Sequence, residues 1–118
     1  MDTKNSKKRK VEELARSITI KIEGNPFVIN FPNAGQLLDI ESNKMLFSNS
    51  QYGALVRSNL VSTNMALDII EMIATFTVLI PNLRDSLRIN NLFSLDIINT
   101  QKLVKIYKKE FLPWYLDW

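Results

Sequence analysis

The chain has 118 residues, of which 46% are hydrophobic and 23% charged, with three glycines and four prolines, the composition of a single globular domain. It contains no cysteine and no histidine, which excludes disulfides, thiolate nucleophiles, imidazole bases and nearly every structural zinc site. The net charge of +3 resides in residues 1–16, where Lys4, Lys7, Lys8, Arg9, Lys10 and Arg16 outnumber Asp2, Glu12 and Glu13, so the neutral remainder offers no broad electrostatic footprint for duplex nucleic acid.

Met1 to Lys10 lacks apolar periodicity and reads as part of a basic, disordered leader spanning 1–16, with Val11 to Ala15 adding at most a helical turn. The run Lys7, Lys8, Arg9, Lys10, Val11 is first of all a solvated tail. It also suits phosphate or an acidic partner, and it resembles the core of a monopartite nuclear-import signal. Glu12, Glu13 and Arg16 interrupt the following residues, so no signal-peptide core is formed and secretion is not expected.

Residues 17–118 are expected to form one globular domain. Ile18, Ile20 and Ile22 alternate with polar residues, and the alternation resumes after Gly24-Asn25-Pro26 with Phe27, Ile29 and Phe31, which predicts a β-hairpin. A four-residue connection would set Ile22 opposite Phe27, Ile20 opposite Ile29 and Ile18 opposite Phe31, all on one face. A lone ribbon is marginal in water, so helices or a partner must cover that face, and its outer edges can accept a further strand.

Pro32 ends the second strand, and Asn33 is placed to cap a helix over about 34–45 with Leu37, Leu38 and Met45 pointing inward. Ser48 or Ser50 can cap a shorter segment through Asn59, weakened by Gly53, with Tyr52, Leu55 and Val56 on one side. The strongest element runs from Asn64 to Ile80, with Ser62 and Thr63 as candidate caps and Pro81 as its stop. Its second half is apolar all round, which predicts a central core helix; the charge-free stretch from Met72 to Asn82 is short of the ~20 residues that cross a bilayer. Asn82 then caps a short turn through Leu83, Leu87 and Ile89, and Leu92 to Ile98 forms a second apolar cluster. A last helix begins near Thr100 with Leu103, Val104, Ile106, Tyr107 and Phe111 on one face and lysines opposite. Pro113 is expected to break it.

Asp39 with Glu41 and Asp68 with Glu71 are close carboxylate pairs. Metal-assisted phosphoryl transfer would also need phosphate-binding donors, and no Gly-rich loop or Walker-type lysine is present. They read as surface charge. Ser17, Ser42, Ser48 and Ser50 have no histidine partner and serve as caps and turn residues. No catalytic residue, cofactor or metal site is assigned. The terminal Phe111-Leu112-Pro113-Trp114-Tyr115-Leu116-Asp117-Trp118 either seals the core or docks on a partner, with Trp114 favoured for sealing and Trp118 for docking.

The segment ITIKIEGNPFVINF leading into a helix resembles the opening of the small tail assembly chaperones of tailed bacteriophages. The segments FPNAGQLLDIESNKMLFSNSQYGALV and PWY are similar to small virion-assembly proteins of large tailed phages. In element order the resemblance spans residues 18–118; the basic leader departs from it. It implies a non-enzymatic assembly factor that acts in the host cytoplasm, with a place in the virion left open. The implied partner is a larger structural protein such as a tail-tube or tape-measure protein.

The expected fold is thus α+β and predominantly α-helical, an N-terminal β-hairpin packed on a bundle of about four or five helices. Expected partner contacts are Trp114, Tyr115, Trp118, Phe27 and Ile29, and Lys7, Lys8, Arg9 and Lys10 for phosphate or an acidic partner. A homo-oligomer remains open, no membrane contact is expected, and the alternative is a small structural virion or nucleic-acid-associated protein using its basic arm.

Overall fold

A computed structural model of the chain describes residues 16–58 and 60–117. The leader ahead of Arg16, with Lys7, Lys8, Arg9 and Lys10, and the terminal Trp118 lie outside the described residues. Strands β1 (Ser17–Ile22) and β2 (Asn25–Asn30) form an antiparallel hairpin. Its connection is shorter than the alternation suggests. Only Glu23 and Gly24 lie between the strands, with φ of 52° and 81°, the paired positive values of a tight hairpin turn whose twist matches the strands. The register therefore shifts: Ile18 pairs with Ile29, Ile20 with Phe27, and Ile22 with Asn25. A shift of two residues preserves the face, so Ile20, Ile22, Phe27 and Ile29 are still buried together. At the base of the hairpin the Phe31 amide donates to the Arg16 carbonyl.

Helix α1 (Ala34–Phe47) opens with a reciprocal cap: Gln36 N–H donates to Asn33 Oδ1 at 2.8 Å, and Asn33 N–H donates to Gln36 Oε1 at 3.0 Å. Its inward face is not the expected one. Leu37, Leu38 and Met45 are 41%, 67% and 46% exposed, while Ile40 is buried and Phe47 packs against the core. Ile40 and Phe47 lie two turns apart, and the same face carries Asn43, whose Nδ2 donates to the Ala74 carbonyl at 3.4 Å. The polar residues on this stripe are satisfied by neighbours, so nothing forces them outward.

Helix α2 (Tyr52–Arg57) leads into α3 (Val61–Leu79). The cap of α3 falls at Leu60 rather than Ser62 or Thr63; Ser58 Oγ accepts from the Leu60 amide at 3.4 Å and lies the same distance from Thr63 Oγ1. From Ile70 onward α3 is the centre of the core, with Met72, Ile73, Ala74, Thr75 and Phe76 buried on successive faces. At 19 residues and a mean hydropathy of 1.2 it has the length and composition to cross a membrane. Here Asp68 and Glu71 interrupt it, and its second half is packed against the chain's own elements.

After Pro81 come the single turn α4 (Leu83–Ser86) and a 3-10 turn at Leu92–Ser94. Leu83 and Leu92 are buried, but Phe93, Ile97 and Ile98 of the expected second cluster are exposed. Helix α5 (Ile97–Ile106) begins earlier than Thr100, because Asp96 caps it by accepting from the Asn99 amide at 2.8 Å. It does not break at Pro113. A π-helical segment, Tyr107–Phe111, continues it into α6 (Leu112–Leu116), with the Leu112 amide reaching back to the Tyr107 carbonyl. The widened turn moves the preceding carbonyls out of regular register, so Pro113, lacking a donor, sits in the first turn of α6 instead of colliding with it. The molecule is thus α+β and mostly helical, the hairpin lying along the α5–α6 segment and α1 along α3.

Candidate functional site

The expected partner residues fall into the interior to different degrees. Phe27 and Ile29 are buried under the chain's own helices and offer a partner no side-chain surface in this fold. Trp114 and Tyr115 are half-buried and fold back on the hairpin base. Phe31 stacks on Tyr115 with centroids 5.2 Å apart and meets Trp114 edge-on at 5.4 Å. Tyr115 stacks on Phe111 at 5.4 Å, Phe111 on Tyr107 at 5.3 Å, and Tyr107 meets Phe76 edge-on at 5.6 Å. This column ties the hairpin, α3 and the C-terminal helix into one unit. Placing Tyr107 and Phe111 four apart on a helical face stacks their rings.

A polar seam crosses α1, α2 and α3 beside the column. Lys44 pairs with Glu41 at 2.8 Å and lies 5.5 Å from the Tyr52 ring centroid. Burial works to lower the Lys44 pKa, but Glu41 and the further charge of Glu71 outweigh it and hold it above the ordinary value. Burial raises the Glu71 carboxyl, assisted by Asp68 and opposed by Lys44 and the Tyr52 hydroxyl. Burial and the Glu71 charge raise Tyr52, and burial pushes Tyr107 far above the usual phenol range despite the Thr75 hydroxyl beside it. Asp68 pairs instead with Lys108 at 3.0 Å. Asp68 and Glu71 therefore have separate partners, and no cluster of three acidic side chains exists among the described residues to hold a metal. Asp39 is exposed, and Glu41 pairs with Lys44.

The surface most suited to contact was not singled out from the sequence. At the α2–α3 corner Val56, Leu60, Val61 and Met65 are 54%, 66%, 77% and 44% exposed. Val61 and Met65 are one turn apart at the start of α3, and Leu60 is its cap. The apolar i, i+4 spacing was visible, but with the helix start placed at Asn64 Leu60 and Val61 read as connecting chain. Comparison with protein-family models, curated proteins and solved structures returned no match to this chain.

Proposed function

We propose that the chain is a non-enzymatic assembly factor that works by binding another protein through the α2–α3 corner. The observation that carries this is the exposure of Leu60, Val61 and Met65 at the start of a helix whose other half holds the centre of the core. A contiguous apolar patch left in water is destabilising in solution and favourable when a partner covers it. The hairpin resemblance supports assembly of a phage tail or virion as the setting, with a tail-tube or tape-measure protein as the partner. The test compares tagged wild type with Val61→Asp in cells producing the assembly. Stoichiometric recovery of one structural protein by wild type and its loss in the variant, with circular dichroism unchanged, supports the reading. Equal recovery by both, or recovery of nucleic acid alone, overturns it.

A further inference from the structure

A second surface, remote in sequence from the α2–α3 corner, is a groove of about 590 Å³ between the hairpin tip, the chain after α4, and α5. Its floor is aliphatic, formed by Leu87, Leu95 and Ile106 with the buried Ile22 beneath, and the exposed Glu23 of the hairpin tip lines the side remote in sequence from the lysines of α5. The α5 side is lined by Lys102 and Lys105, one turn apart, both exposed and without an ion-pair partner among the described residues. The volume is in the range of ligand-binding clefts, roughly 300 to 1,000 Å³.

We infer that this groove binds an acidic amphipathic segment of a partner protein, whose apolar side chains lie on Leu87, Leu95 and Ile106 while its carboxylates meet Lys102 and Lys105 on the α5 side. Two features select this occupant. Two cations a helical turn apart match carboxylates spaced at i and i+3 or i+4 on a facing helix, about 5 to 6 Å apart, whereas a single-headed amphiphile would leave one cation unused. The chain's own leader is a poorer match, since its net charge of +3 repeats the sign of the two lysines. It also joins β1 at Ser17, the opposite end of the strand from Ile22.

The test uses the full chain and two fluorescein-labelled helical peptides of repeated Glu-Leu-Leu-Glu or Lys-Leu-Leu-Lys, read by fluorescence anisotropy. The acidic peptide should bind at least about tenfold more tightly than the basic one, and its affinity should fall as salt rises. Lys102→Glu with Lys105→Glu should weaken it about tenfold at an unchanged melting temperature, since both side chains are exposed. Leu95→Asp should abolish binding, with dichroism reporting whether the fold persists. Val61→Asp should leave the affinity intact, which separates this groove from the α2–α3 corner. Equal binding of both peptides, indifference to charge reversal, competition by laurate, or a wild-type dimer dispersed by the lysine reversals would each overturn the inference.

Discussion

Removing the Phe111 ring should cost this protein a large share of its stability. The side chain is 1% exposed and lies between four other rings: Tyr107 at 5.3 Å, Tyr115 at 5.4 Å, Trp114 at 5.8 Å and Phe76 at 6.0 Å. Those neighbours come from α3, the π segment and α6, which are held in place by more than this contact, so the hole left by Phe111→Ala cannot close fully. The expected loss is roughly 3 to 5 kcal/mol, against a total stability of about 5 to 15 kcal/mol for an ordinary domain. For a domain of about a hundred ordered residues that corresponds to a fall in melting temperature of roughly 12 to 20 °C. Phe111→Leu retains much of the apolar volume but removes the ring pairings, and should cost about 1 to 2 kcal/mol. Urea titrations followed by tryptophan fluorescence and far-ultraviolet dichroism give both values, with an unchanged m-value showing that only the native state is affected. A cost for Phe111→Ala below about 1 kcal/mol would refute the claim that this column closes the core.

Trp114→Ala should lower the urea midpoint, because the half-buried indole packs on Phe31 and Phe111; truncation after Pro113 should do so more strongly, and an unchanged midpoint in the truncated chain would place the tail on a partner instead. Deletion of residues 1–10 should leave the melting temperature nearly unchanged and remove any nucleic-acid binding, which in the intact chain should weaken steeply with salt; salt-insensitive binding by the shortened chain would contradict this. Glu71→Gln should flatten the pH dependence of stability just above 4.5, its ordinary pKa. There the folded state, with its raised pKa, binds more protons than the unfolded chain, so the Glu71 contribution declines as pH rises through that window. A difference in urea midpoint between wild type and Glu71→Gln that stays constant across the window would refute this.

The elements that periodicity marks strongly were legible. Six alternating apolar residues defined the hairpin face, and the apolar second half of α3 defined the centre. Details set by backbone conformation were less so. Glu23 takes a positive φ that sequence would sooner assign to Gly24 alone, and that residue decides the register. In α1 the stripe through Ile40 and Phe47 competes with one through Leu38 and Met45, and the polar Asn43 between Ile40 and Phe47 hides the former. Its outcome depends on partners far along the chain, such as the Ala74 carbonyl for Asn43. The exposed corner was missed because a helix start without a side-chain cap carries no local signal, and the groove because it needs the hairpin tip set against residues some sixty and more positions further along the chain.

The π segment gives the C-terminal helix a tolerance in length. One residue inserted into a regular helix turns everything beyond it by about 100°, enough to carry Trp114 and Tyr115 away from Phe31. Taken up as a bulge, the additional residue leaves the downstream face in phase. Here Lys108, Lys109 and Glu110 are exposed while Tyr107 and Phe111 remain inward, so the surplus backbone is displaced toward solvent. Loss of one residue at this point would return the segment to a regular helix and keep the aromatic rings aligned. The same change within the second half of α3, packed on successive faces, would put every later side chain into the wrong neighbour's space.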